Sequence, residues 1–176
     1  MFVIADVLSR EEVLRVQEGL AHAPFQSGRL TAAAAAEKVK DNEQARGDDP
    51  TVKSLARTVR LALEAHPIVR TWARPVRWSS LMFSRYGLGQ HYGMHTDNSR
   101  MHDEDGWSLR TDISFKVFLS DPDTYAGGSL VLRHSSGDRE FRPRLAPQFS
   151  IQPASFIALR RLPTGNGLPA LGGCKV

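Results

Sequence analysis

The spacing of apolar residues changes near Pro75, and this change constrains the fold more than any other feature of the sequence. Before Pro75, apolar residues recur every three or four positions, which is typical of helices with one buried face. After Pro75 they alternate with polar residues, as in the strands of a half-buried sheet. Helices followed by many short strands predict an α+β domain with a sandwich-like or jelly-roll β core.

Two helices are predicted before Pro75. The first begins next to Ser9, because Ser9 and Glu12 have the spacing of a capping box. The second is predicted to begin around Asp48-Asp49-Pro50, since acidic residues and a proline are favoured in a first helical turn. Residues 32–36 fit either a helical turn or a loop. We expect both helices to be scaffolding.

Six strands are predicted, separated by turns rich in Gly, Pro and Asp. They span residues 76–86, 90–95, 111–119, 129–133, 139–142 and 149–152. A chain of 176 residues has the size of one ordinary domain. Within it we expect a helical scaffold at 1–75, a β core at 76–155 and an aberrant tail at 156–176.

Composition and charge argue against several classes of protein. Hydrophobic residues make up 41% of the chain and charged residues 24%, so the sequence can build a packed core. The basic residues behind the net charge of +4 are scattered, so we do not expect a nucleic-acid partner. The single cysteine, Cys174, excludes an internal disulfide and a multi-cysteine zinc site. With no signal peptide or membrane-spanning run in the sequence, we expect a cytoplasmic protein without a membrane partner.

His95 and Asp97 are the strongest candidates for chemistry. Residues i and i+2 of a strand face the same side, so an imidazole and a carboxylate would project into one space. Together they could supply two of the three ligands in the 2-His-1-carboxylate triad of non-haem Fe(II) oxygenases. A hydrogen-bonded surface pair is the alternative, because His-x-Asp is common by chance.

The segments around this pair form an ordered set. They comprise residues 28–31, 38–44, 83–86, 109–114, 118–122 and 125–130. From residue 1 to about 155, this pattern resembles the PKHD-type hydroxylases, which are prolyl-4-hydroxylase-like Fe(II)/2-oxoglutarate dioxygenases of bacteria.

The resemblance implies a double-stranded β-helix, or jelly roll, with flanking N-terminal helices. It also implies Fe(II), 2-oxoglutarate and O2, with ascorbate as an expected cofactor and a protein or small molecule as the unidentified substrate. His95 and Asp97 match metal ligands, while Tyr86 and Thr111 match positions near 2-oxoglutarate. The alternative for Tyr86 and Thr111 is side-chain packing, and for the whole chain it is a non-catalytic binding module.

The resemblance ends near residue 155. Family members have a second ligating histidine on a late strand and, ten residues later, an arginine that binds 2-oxoglutarate. Residues 156–161 contain no histidine, and the Gly- and Pro-rich sequence that follows is a poor strand. We therefore expect that the last core strands are lost, that the distal histidine and the arginine are absent, and that iron binds weakly.

Back-translation suggests why the resemblance ends. In a reading frame shifted by one base, one triplet consists of the last base of the Phe156 codon and the first two bases of the Ile157 codon. This triplet can encode only His or Tyr, and the corresponding triplet at Asn166/Gly167 can encode only Arg or Trp. The shifted frame can spell His-Arg-Val-Thr-Pro-Val, which is the missing family segment. Our hypothesis is a one-base deletion near codons 154–156, and the alternative is a natural C-terminal tail.

Overall fold

Helices occupy the N-terminal part of the chain, as the apolar spacing predicts. The computed structural model describes residues 2–32, 34–142, 149–153, 156–159 and 170–175. In these residues α1 spans Arg10–His22, α2 spans Ala34–Glu37 and α3 spans Pro50–Ala65. Among the described residues, the chain contains no helix with the length and apolar character needed to cross a bilayer.

The predicted helix starts are confirmed. At α1 the Ser9 hydroxyl accepts a hydrogen bond from the Glu12 amide, and the Glu12 carboxylate accepts one from the Ser9 amide at 2.7 Å. At α3 the Asp49 carboxylate accepts from the amides of Thr51 and Val52. These bonds satisfy amides that have no partner within the helix.

Fourteen strands are found in the described residues, and all of their pairings are antiparallel. They are β1 (Phe2–Ile4), β2 (Phe25–Ser27), β3 (Lys40–Asp41), β4 (Glu43–Ala45), β5 (Met82–Tyr86), β6 (His91–Thr96), β7 (Arg100–His102), β8 (Ser108–Arg110), β9 (Ile113–Val117), β10 (Leu130–His134), β11 (Gly137–Phe141), β12 (Phe149–Pro153), β13 (Phe156–Leu159) and β14 (Ala170–Lys175). One sheet has the order β1-β12-β9-β14-β5-β4-β2, a second has the order β11-β10-β13-β6-β3, and β7 pairs with β8 alone.

From β5 onwards the chain alternates between the two larger sheets. Strands β5, β9, β12 and β14 belong to the seven-stranded sheet, whereas β6, β10, β11 and β13 belong to the five-stranded sheet. This winding produces an antiparallel double sheet of the jelly-roll type. The predicted class, helices followed by an antiparallel β core, is confirmed.

The seven-stranded sheet packs its outer face against the helices. Phe83 of β5, together with Phe115 and Val117 of β9, lies in one buried cluster with Val59 and Leu63 of α3. Ser114 and Lys116, which alternate with these residues along β9, are also buried and lie on the opposite face of the sheet. Strand β9 therefore contributes side chains to the hydrophobic core on one face and to the interior of the sandwich on the other.

The structure corrects three sequence predictions. Strands β1–β4 lie within residues 1–75, where only helices were predicted, because strands of two or three residues are too short to show a period. Only Met82–Tyr86 of the predicted strand 76–86 is a strand, because β14 and β4, its partners among the described residues, pair with no residue before Met82. The expected loss of the last core strands is not confirmed. Strand β13 pairs with β10 in the five-stranded sheet, and β14 pairs with β5 in the seven-stranded sheet. Residues 160–169 of the tail lie outside the described residues.

Candidate active site

The buried end of β6 brings together the two residues predicted as metal ligands. His95 lies within the strand, and Asp97 follows the strand's last residue. The side chains are 3% and 6% exposed, and His95 Nε2 lies 3.5 Å from Asp97 Oδ1. The surface pair considered as an alternative is therefore inconsistent with the structure, because both groups are inside the sandwich.

In each of these two side chains, the polar atom that does not face the other residue makes a hydrogen bond that orients the side chain. His95 Nδ1 lies 2.8 Å from the carbonyl oxygen of Gly93. The Ser114 hydroxyl of β9 donates to Asp97 Oδ2 at 2.5 Å. A histidine that donates from Nδ1 to a carbonyl presents the lone pair of Nε2, and such an outer hydrogen bond is typical of metal-binding histidines. The atoms that face each other, His95 Nε2 and Asp97 Oδ1, are thus an imidazole nitrogen and a carboxylate oxygen, which are both of the kinds that bind metals.

Tyr92 supports the His95 ring from one side. The two rings stack with centroids 3.6 Å apart and an interplanar angle of 9°. Burial, and secondarily the charge of Asp97, raises the pKa of Tyr92 to about 12. The phenol therefore stays neutral at physiological pH and contributes shape rather than charge.

Gly93 allows this part of β6 to pack closely against the chain before β3. The Gly93 amide donates to the Val39 carbonyl at 2.7 Å. A Cβ atom at position 93 would lie 2.8 Å from the Val39 Cβ, which is closer than packed carbons tolerate. The glycine is thus required by a close backbone approach next to the candidate ligands.

Two of the three protein ligands expected for Fe(II) fit this geometry. Two donor atoms that bind the same ion at about 2.1 Å, with a right angle between the bonds, lie about 3 Å from each other. The distance between His95 Nε2 and Asp97 Oδ1 is close to this value, at 3.5 Å. Within the described part of the chain, no group of three His, Cys, Asp or Glu residues could hold a metal.

The backbone register identifies the position where a third ligand would be expected. In the pairing of β13 with β6, Ile157 lies opposite His95, and Phe156 lies opposite Thr96. Residues directly opposite each other on antiparallel strands occupy the same face of the sheet. Position 157 thus shares a face with His95, but isoleucine has no metal-binding atom.

The two residues predicted near 2-oxoglutarate lie in different environments. Tyr86 ends β5 in a buried cluster with Tyr92, and burial raises the pKa of its phenol. Thr111 lies between β8 and β9, and its hydroxyl donates to the Asn98 carbonyl at 2.5 Å. Thr111 also lines a cavity next to Ile113 and Phe115, the residues of β9 on the opposite face from Ser114.

A cluster of buried polar residues was missed by the sequence analysis. Lys40, Asn42 and Gln44 are each at most 4% exposed. Gln44 Nε2 donates to the Ser84 hydroxyl at 3.1 Å, and Lys40 Nζ lies 5.2 Å from the centre of the Tyr92 ring. The i, i+2, i+4 spacing of the three residues was an available signal for one face of an extended segment.

A family model described as the 2OG-Fe(II) oxygenase superfamily matches residues 81–156, which include both candidate ligands. The class of protein that the fold and this match define is an oxygenase that uses Fe(II) and 2-oxoglutarate.

Full-length relatives define the family more narrowly. The chain is 34% identical to a PKHD-type hydroxylase of Picosynechococcus sp. over 171 residues, which are 97% of this chain and 76% of the relative. It is 35% identical to a PKHD-type hydroxylase of Rippkaea orientalis over 157 residues, which are 89% of this chain and 69% of the relative. The chain belongs to the PKHD-type hydroxylases, and this confirms the resemblance inferred from the sequence.

Solved structures share the fold at low sequence identity. A Pseudomonas putida prolyl-4-hydroxylase matches with a TM-score of 0.61 and 15% identity, over 99% of this chain and 90% of that one. HygX from Streptomyces hygroscopicus, with nickel, 2-oxoglutarate and hygromycin B bound, matches with a TM-score of 0.64 and 15% identity, over 99% and 80%. A prolyl hydroxylase from Trichoplax adhaerens, in complex with a hypoxia inducible factor peptide, also has a TM-score of 0.64, at 12% identity and over 99% and 80%.

Proposed function

We propose that this chain is a hydroxylase in which His95 and Asp97 hold Fe(II), and that the site as translated binds the metal weakly. The buried pair with facing Nε2 and Oδ1 atoms is the observation that carries the proposal. When bound, Fe(II) with 2-oxoglutarate and O2 supplies the oxidation of a substrate C–H bond. The family membership favours this function over a non-catalytic binding module.

The chain's own residues position the reactants and exclude water. Ser114 and the Gly93 carbonyl fix the orientation of the two ligands. Tyr92 covers one face of the imidazole. We propose that Tyr86 contributes to the 2-oxoglutarate site, as the resemblance implies, and that ascorbate is a further cofactor. For Thr111 the alternative of side-chain packing is better supported, because it lines the cavity on the other face of β9 and its hydroxyl donates to the Asn98 carbonyl.

The substrate is proposed as a protein side chain or a small molecule. Among structures with the same fold, one is a complex with a peptide fragment and another has hygromycin B bound. Both kinds of substrate are therefore compatible with a sandwich of this architecture. Release of succinate in the presence of candidate peptides and small molecules distinguishes the two.

Weak metal binding follows from the missing third donor. The described residues supply two donors, and position 157 opposite His95 is isoleucine. If one base is restored before codon 157, the triplet that now spans the Phe156/Ile157 junction becomes codon 157. The histidine that this triplet permits would therefore stand at position 157. The strand register and the codon arithmetic therefore agree on where the third ligand belongs, and this agreement supports the deletion hypothesis.

The test is to introduce the donor by Ile157→His and measure Fe(II) binding. Anaerobic titration with Fe(II) and 2-oxoglutarate, followed by the metal-to-ligand charge-transfer band, gives the affinity. A third protein ligand is expected to raise the affinity by roughly 100-fold, about 2.7 kcal/mol. The additional substitution Asp97→Ala should abolish the gain.

Phe156→His is the matched control, since position 156 lies opposite Thr96 and on the other face of β13. It should leave the affinity for Fe(II) unchanged. Equal gains for Ile157→His and Phe156→His, or a gain that survives Asp97→Ala, would contradict the proposed site. A charge-transfer band for the unsubstituted chain at micromolar iron would contradict weak binding.

A further inference from the structure

The cavity lined by Thr111 lies on the helix-facing side of β9. It has a volume of about 400 Å³ and is lined by residues 69 and 73–79, which follow α3, and by residues 108–113 and 115. Ile113 and Phe115 of β9 line this cavity, whereas Ser114 between them contacts Asp97 in the sandwich interior. Strand β9 thus separates the cavity from the His95–Asp97 pair. A cavity of this size accommodates a small organic molecule.

The walls of the cavity combine apolar and aromatic side chains with polar ones, which include three arginines, Asp112 and a buried hydroxyl. Trp78 and Phe115 meet edge to face, with ring centres 5.6 Å apart and an interplanar angle of 82°. Ser79 also lines the cavity and is 2% exposed, and its Oγ atom has no hydrogen-bond partner among the residues that the structure describes. Burying a hydroxyl without a partner is costly, so such a group indicates a donor or acceptor supplied from outside the chain.

One unpaired cation lies at the same cavity. Of the three arginines that line it, Arg77 pairs with Asp103 and Arg110 pairs with Asp112. Arg74 is exposed, and its side chain has no ion pair or hydrogen bond within the described residues. Its backbone adopts a left-handed conformation, with φ of 46° and ψ of 54°, which is strained for a residue other than glycine.

We propose that this cavity binds a small carboxylate with an aromatic or branched apolar body. Arg74 would pair with the carboxylate, because guanidinium and carboxylate match in bidentate geometry. The Ser79 hydroxyl would donate to a polar atom of the same ligand, and the aromatic walls would cover its apolar part. A single unpaired arginine suits one negative charge better than a phosphate dianion.

The probe is phenylacetate, with its neutral isostere phenylacetamide as the comparison, titrated by calorimetry into the chain without metal or 2-oxoglutarate. Phenylacetate should bind saturably with a Kd of about 1 mM or lower, and the amide at least tenfold more weakly. Indole-3-acetate and 4-methylpentanoate extend the series to a larger aromatic body and to an aliphatic one.

Two substitutions in the cavity test the assigned residues. Arg74→Gln should weaken phenylacetate binding about tenfold. Ser79→Ala should weaken it about fivefold and yet raise the melting temperature of the free chain, because it removes a buried hydroxyl without a partner. This combination of weaker binding and higher Tm separates a ligand contact from a loss of folding.

Two further variants locate the binding. Arg70→Gln, an exposed arginine of the same π-helical turn that does not line the cavity, should leave binding unchanged. Asp97→Ala should also leave it unchanged, since the cavity is on the other face of β9. The proposal is wrong if none of the three carboxylates binds saturably, if phenylacetamide binds as well as phenylacetate, or if Arg74→Gln and Arg70→Gln have equal effects.

Discussion

The hydrogen bond from Ser114 to Asp97 provides the sharpest test of the candidate metal site. Both residues are at most 8% exposed, and the hydroxyl donates to Oδ2, the carboxylate atom that does not face His95. Ser114→Ala removes this donor without adding volume. A hydrogen bond to a charged group contributes about 1.5–3 kcal/mol to the free energy of unfolding. Loss of an outer-shell partner typically lowers metal affinity by about 10- to 100-fold.

Ser84→Ala is the matched control. Ser84 is also buried on an inner strand, but its hydroxyl accepts a hydrogen bond from the neutral amide of Gln44 at 3.1 Å. Its loss should cost about 1 kcal/mol of stability and leave metal affinity unchanged. Urea unfolding gives the stability, and titration with Co(II) in the presence of 2-oxoglutarate gives the affinity. If the two variants lowered Co(II) affinity equally, or if neither did, Ser114 would not be positioning a metal ligand.

Three further outcomes are expected. Gly93→Ala should lower the free energy of unfolding by about 1–3 kcal/mol, because the new Cβ would lie 2.8 Å from the Val39 Cβ; an unchanged urea midpoint would contradict the close approach. Leu63→Ala should cost about 2–5 kcal/mol, since this side chain is fully buried in the helix–sheet core. The half-exposed Leu61 should lose less than about 1 kcal/mol in the same substitution and the same urea assay. Resequencing genomic DNA around codons 154–156 should reveal one additional base, and an intact frame that encodes the present tail would end the deletion hypothesis.

Long elements with a clear period were predicted well from the sequence. The start signals predicted at Ser9 and around residues 48–50 agree with the observed starts of α1 at Arg10 and of α3 at Pro50. The strand that contains His95 was expected at 90–95 and is found at His91–Thr96. These features depend on local hydrogen bonds and on periodicity, which one segment of sequence is sufficient to encode.

The shortest strands and the last two strands, β13 and β14, were not predicted, because their formation depends on pairing with other parts of the chain. Strand β3 has two residues, and its register is set by pairing with β6. The glycine-rich sequence of β14 predicts a poor strand, but β14 pairs with both β5 and β9. Pairing with neighbours outweighs local preference in the middle of a sheet.

The sequence by itself determined the helix-then-strand order, the His-x-Asp pair and the absence of a histidine from residues 156–161. Those properties depend on residue identity and on the two-residue period of a strand. Only the tertiary structure decided that Ser114 contacts Asp97, that position 157 lies opposite His95, and that β9 has a cavity on its other face. These relations join residues that are 17 to 62 positions apart, and such residues meet only where packed sheets bring distant strands together.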